Sequence, residues 1–153
     1  MEVTKRNGEK EPVYFDKISI RLKNLVDEGK LKLVDSIVVA QKVIQNLYDG
    51  ITTQELDNLS ASICASFASE EPNYGLLGGR ICVSNLHKMT PNTFYESVNI
   101  LMQNLDKNGE PAPILNKEVY DIINANHELI ETKIIHDRDY LIDLCLLVLS
   151  DSH

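Results

Sequence analysis

Apolar positions near the start of the chain follow a short extended pattern and then change period. Val3–Arg6 and Pro12–Phe15 read as two β-segments joined by "NGEKE", with Asn7-Gly8 as the turn signal because both residue types tolerate positive φ. From Asp16, placed as an N-cap, Ile18, Arg21, Leu22 and Leu25 recur at helical spacing. A second helix is expected over Leu33–Tyr48, with Ile37, Ala40, Val43, Ile44 and Leu47 on one face and Asp49-Gly50 as its stop. Thr52-Thr53-Gln54-Glu55 has the form of a capping box, in which a Thr hydroxyl accepts from an amide one turn on and the Glu side chain reaches back. The helix it opens presents Leu56, Leu59, Ile63 and Phe67. After Glu71-Pro72, the positions Tyr74, Leu77, Ile81 and Leu86 mark a fourth amphipathic segment that ends near Lys88. Two more helices, Pro91–Leu105 and Lys117–Ile130, flank the breaker-rich "NGEPAP". The expected fold class is mainly α (α+β), an N-terminal β-hairpin lid on a four-helix bundle followed by further helices.

Charge sharpens this picture. The chain has 153 residues, is 43% hydrophobic and carries a formal net charge of −8, which suits one domain with an appendage and disfavours nucleic acid or an anionic membrane as partner. The cations nevertheless gather at one end. Residues 1–25 hold six Lys/Arg (Lys5, Arg6, Lys10, Lys17, Arg21, Lys23) against four acids (Glu2, Glu9, Glu11, Asp16), as a small anion site would need. Cys64, Cys82 and Cys145 form no CxxC pair and no metal-ligand spacing, so reduced thiols in a cytoplasmic setting are expected, with no metal site. The charged N-terminus has no apolar leader region, and the longest apolar run, Leu144–Leu149, is too short to span a bilayer.

Most candidate chemistry dissolves on inspection. The Walker-type phosphate loop is missing, and "GLLGGR" at Gly75–Arg80 falls inside a helical pattern, where close helix packing is the better reading. No Ser/His/Asp or Cys/His set can be assembled, and His87, His127, His136 and His153 sit among polar residues and are read as solvated. The opening hairpin has two readings. A charged hairpin commonly serves as a solvated edge that resists pairing with other strands. A helix N-terminus, however, attracts anions through its free amides and dipole. Were the Thr53 helix end to face the hairpin, Lys5, Arg6 and Lys17 would surround a polyphosphate and Asp57, one turn in, would meet a ribose hydroxyl.

The order of three motifs narrows the choice. "VTKRNGEKEPVYFDKI", "YDGITTQELD" and "GGRICVSNLHK" together closely resemble the N-terminal ATP-cone of the large (α) subunit of class I ribonucleoside-diphosphate reductase of the eukaryotic type, and "IIHDRDY" at Ile134–Tyr140 extends the match more weakly. The resemblance implies an allosteric site for ATP as activator or dATP as inhibitor, taken with Mg2+. Carried over by motif, it comprises Lys5, Arg6, the segment Glu11, Pro12, Val13, Tyr14, Phe15, Asp16 and Lys17, then Thr53 and Asp57, with Lys88 as a further phosphate contact. Lys5, Arg6, Lys88 and the Thr53 helix end would face the triphosphate, Glu11 the adenine edge and Asp57 the sugar. No catalytic residue and no redox cofactor are implied for this stretch. The implied partners are other reductase large subunits and the small radical-generating subunit. The corresponding division is 1–92 for the cone, 93–140 for the helical start of the next region, and 141–153 for a divergent tail, read as a truncation or as an ordinary docked helix. Two alternatives stay open: a free-standing nucleotide-binding module that docks on a full-length reductase, and a helical interaction protein whose pocket has decayed. The intact set of Lys5, Arg6, Lys17, Thr53 and Asp57 speaks against decay.

Overall fold

The computed structural model describes residues 1–141; expectations about Cys145, the Leu144–Leu149 run, His153 and the tail they belong to lie outside the described residues. The described residues separate into two compact units, one formed by Met1–Asn85 with Asp139–Leu141 and one by Leu86–Arg138.

In the first unit, β1 (Glu2–Thr4) and β2 (Lys10–Pro12) pair antiparallel with Val3 opposite Glu11. Both strands are shorter than the sequence suggests, because the turn consumes more chain. The Gly8 amide donates to the Lys5 carbonyl at 3.0 Å and the Lys5 amide to the Glu9 carbonyl at 2.8 Å. Gly8 takes the left-handed conformation, φ +84°, and Asn7 does not. The Val13 amide donates to the Met1 carbonyl at 3.2 Å just past Pro12, and the chain then passes straight into α1. The hairpin is tied down on its other edge. The Thr4 amide donates to the Ile51 carbonyl and the Gly50 amide to the Glu2 carbonyl, each at 2.9 Å, giving a parallel bridge from Thr4 to Thr52.

The remainder of this unit is helical: α1 (Phe15–Glu28), α2 (Ser36–Gln45), α3 (Thr53–Phe67) and α4 (Asn73–His87). Asp16 is not the N-cap of α1. Tyr14 holds that position without a side-chain cap bond, and Asp16 lies in the first turn, where its charge still suits the helix dipole. Helix α2 begins later than expected because Leu33 adopts φ +62°, outside helical space, and Asp35 caps the amides of Ile37 at 2.8 Å and Val38 at 3.4 Å. The capping box of α3 is complete: Thr52 Oγ1 accepts from the Glu55 amide at 3.1 Å and Glu55 Oε2 accepts from the Thr52 amide at 2.8 Å.

The core joins Ile18, Leu22 and Leu25 of α1 to Val39, Ala40 and Val43 of α2, Ala61 and Cys64 of α3, and Leu77 and Ile81 of α4. Two faces differ from expectation. Ile37 is 63% exposed, and Val39 takes its place inside. In α3 the innermost positions are Asp57, Ser60, Ala61 and Cys64, whereas Leu56, Leu59, Ile63 and Phe67 are half-buried around them. Leu86 of α4 is exposed, and Gly78 and Gly79 are buried within that helix. Helix α1 ends at Gly29, where a β-carbon would lie 2.9 Å from Cδ of Arg80; the Arg80 guanidinium sits 4.3 Å above the Tyr140 ring.

The second unit holds α5 (Phe94–Met102), which has a Thr93/Glu96 capping box, and α6 (Lys117–Glu131). Tyr95 stacks on His127 with ring centroids 4.5 Å apart, and the Tyr120 hydroxyl donates to Asn99 Oδ1 at 2.8 Å. His127 is therefore packed between the two helices, not merely solvated. A 3-10 helix at His136–Leu141 closes the described chain. Among the described residues no helix is long and apolar enough to cross a membrane.

Thr52 serves the α3 cap and the bridge to β1 at once. Thr52→Ala is expected to cost about 1 kcal/mol in urea unfolding monitored by circular dichroism, with the slope of the transition unchanged.

Candidate functional site

A cavity of about 150 Å³ opens beneath the hairpin. Its apolar wall comes from Val3, Val13, Ile18, Leu22, Leu47, Ile51, Leu56 and Ile81, and its polar wall from Glu11, Tyr14, Lys17, Arg21, Thr53, Asp57 and Ser60. Each polar group is set by its element. Glu11 is delivered by β2, Lys17 and Arg21 by successive turns of α1, and Thr53 and Asp57 by the first two turns of α3.

Asp57 is the deepest charge, with its side chain only 3% exposed. An ionised group at that depth requires opposite charges close by. Arg6 Nη2 donates to Asp57 Oδ2 at 3.2 Å and Arg21 Nη1 donates to Asp57 Oδ1. Arg6 is held further by Asn85 Oδ1 and, through Nη1, by Thr53 Oγ1 at 3.4 Å, while Asn85 Nδ2 donates to Asn58 Oδ1 at 3.3 Å. The two arginines therefore approach Asp57 from the hairpin and from α1, and α4 supplies the side chain that steadies Arg6. The second nitrogen of the Arg21 fork, Nη2, is buried and finds no acceptor among the described residues.

Glu11 organises the other wall. Its Oε2 lies 3.1 Å from Lys5 Nζ and its Oε1 3.3 Å from Lys17 Nζ, and Lys17 also sits 4.6 Å above the Tyr14 ring. The Lys5 hydrogen bond, followed by that of Lys17, holds the Glu11 carboxyl below its ordinary range, and Glu11 in turn raises Lys5. With Glu9 also 3.7 Å from Lys5 Nζ, four cations meet three carboxylates, which leaves this corner with a formal charge of +1 on a chain of −8.

Of the residues singled out from sequence, Glu11, Val13, Tyr14, Lys17, Thr53 and Asp57 line the cavity. Lys5 and Arg6 are not in the lining but bind Glu11 and Asp57, which are. Pro12, Phe15 and Asp16 are exposed and lie outside it, and Lys88 is exposed in the turn after α4, in the second unit. The structure adds Arg21, Asn85 and Ser60, which the motifs do not single out. Arg21 carries a signal, since a lone arginine recurs on the apolar face with Ile18, Leu22 and Leu25. Asn85 carries one too, continuing the four-residue spacing of Leu77 and Ile81.

This arrangement suits the binding of an anion with an apolar body. Catalysis by the nearby thiol is disfavoured, because burial, then the neighbouring Cys82, push the Cys64 thiol up to about 12.

Comparison with known proteins agrees with the motif order. The ATP cone domain family matches residues 1–89. The ribonucleoside-diphosphate reductase large subunit of Caenorhabditis elegans is 44% identical over 139 residues, covering 90% of this chain and 18% of that protein. The large subunit of vaccinia virus (strain Copenhagen) is 43% identical over 141 residues, covering 92% and 18%. The large chain 2 of Saccharomyces cerevisiae is 39% identical over 141 residues, covering 92% and 16%. The chain thus spans less than a fifth of the length of these curated relatives.

The Glu11 contacts make a pH-dependent contribution of defined sign. Because the folded Glu11 value is lowered, its contribution is present above the ordinary glutamate range and is lost as pH falls through the folded value. The raised Lys5 keeps its share through neutral pH and loses it only as pH rises past its folded value. Wild type is expected to melt above Glu11→Gln by a constant margin around neutrality, and calorimetric melts should show that margin closing on acidification.

Proposed function

The chain belongs to the ATP-cone family, and on that premise we propose that the cavity beneath its hairpin binds an adenine nucleotide as an allosteric effector. The observation that supports the reading is an apolar cavity lined by Lys17, Arg21 and the first residue of α3, Thr53, whose lining carboxylates Glu11 and Asp57 also bind Lys5 and Arg6, in an acidic protein. The adenine ring enters among Val13, Ile18 and Leu56, with Glu11 at its edge. The triphosphate, carried with Mg2+, lies against Lys5, Arg6, Lys17 and the Thr53 amide. Pro12, Phe15 and Asp16 belong to the segment that closes over it. Asp57 takes the sugar.

A cavity of about 150 Å³ is smaller than the roughly 300 Å³ at which small-molecule sites begin. Nucleotide entry therefore requires the site to widen, with Lys5 and Lys17 exchanging Glu11 for phosphate. ATP acts as the activating ligand and dATP as the inhibiting one. The module, residues 1–92, serves a ribonucleoside-diphosphate reductase large subunit in deoxyribonucleotide synthesis, with residues 93–140 leading toward the rest of such a subunit. Its partners are other large subunits and, in the complete enzyme, the small radical-generating subunit, in the cytoplasm. We assign effector binding to these residues and not ribonucleotide reduction itself.

Calorimetric titration with the magnesium complexes of ATP, dATP and GTP tests the reading. Both adenine nucleotides should bind and GTP should not, and Lys5→Ala should weaken both by about tenfold. Heat with neither adenine nucleotide would overturn the proposal.

A further inference from the structure

We propose that Arg21 contacts the bound ligand directly and, together with Asp57, reads a sugar hydroxyl; this rests on the nucleotide reading of the cavity given above. The two arginines on Asp57 are not equivalent. Arg6 spends its Nη atoms on protein acceptors, with Nη1 on Thr53 and Nη2 on both Asp57 and Asn85. Arg21 uses Nη1 on Asp57 Oδ1, while its Nη2 is buried without an acceptor among the described residues, in a side chain that lines the cavity. Buried guanidinium hydrogens are costly to leave unmatched, so such a donor marks a place where an acceptor is expected.

The neighbouring carboxylate narrows what that acceptor is. That covered donor lies on a side chain that shares the cavity lining with an acceptor, the Asp57 carboxylate. A phosphate oxygen can only accept, and it would be repelled by Asp57. An adenine edge donates and accepts through separate atoms. A hydroxyl alone does both through one atom, donating to Asp57 while accepting from Arg21. The triphosphate has its own cations nearer the hairpin, at Lys5 and Lys17. The 2′- and 3′-hydroxyls share this chemistry, and analogues lacking one or the other separate them.

The experiment is calorimetric titration of wild type, Arg21→Lys and Arg21→Gln with ATP, 2′-deoxy-ATP and 3′-deoxy-ATP, with thermal melts run on each protein. Wild type should bind one of the two deoxy analogues about tenfold more weakly than ATP. In both variants that gap should shrink to about twofold or less while ATP still binds. Arg21→Lys keeps a cation beside Asp57 and carries the test if the glutamine variant does not fold. A gap at the 2′ position would make this pair the point where ribose and deoxyribose are told apart; a gap at the 3′ position would make it an anchor common to both. Unchanged discrimination in the variants, or no discrimination by wild type, would overturn the role of Arg21 alone. Failure of all three nucleotides to bind wild type would instead overturn the nucleotide reading.

Discussion

The buried carboxylate of Asp57 is the constraint on which the rest of this unit turns. A charge that far from water is tolerable only when opposite charges meet it at hydrogen-bond range. That requirement recruits the hairpin through Arg6, α1 through Arg21 and, through Asn85, the end of α4. Apolar packing of Ile18, Leu22, Val39, Val43, Leu77 and Ile81 brings the helices together, and the ion cluster adds directional contacts to it. The cluster ties the inward face of α3, which also packs Ala61 and Cys64 into the core, to a hairpin already held by its backbone bonds to Gly50 and Ile51.

The second carboxylate, Glu11, repeats the device nearer the surface with Lys5 and Lys17. Together the two acids give every cation of the corner an internal partner. Exposed ion pairs of the Glu11 kind contribute little stability and exchange readily, whereas the Asp57 cluster is deeper and more directional. A polyanion arriving at the hairpin thus meets loosely held lysines first and firmly held arginines after.

Legibility from sequence tracked how far each element obeyed a simple period. Helix α1 was readable because Ile18, Leu22 and Leu25 form an unbroken apolar stripe. The capping box of α3 was readable because its chemistry is local to Thr52 and Glu55. The buried face of α3 was not, since its centre is polar: Asp57 and Ser60 sit inside for the sake of the cluster while leucines stand at its flanks. The start of α2 was hidden by a backbone choice at Leu33 that no periodicity encodes. Arg21 and Asn85 owe their places to partners 36 and 79 residues distant in sequence, beyond the reach of local pattern. Motif order succeeded where period failed, because "KR", "TTQELD" and "SNLH" are spaced by the fold that joins them.

Helix α4 carries Asn85, which holds Arg6, and Arg80, which lies over Tyr140 and against Gly29. Five residues separate them, about 7.5 Å along a helix that does not stretch. It works as a ruler: its one mark is set by the hairpin and its other by the point where the chain comes back to this unit at Asp139.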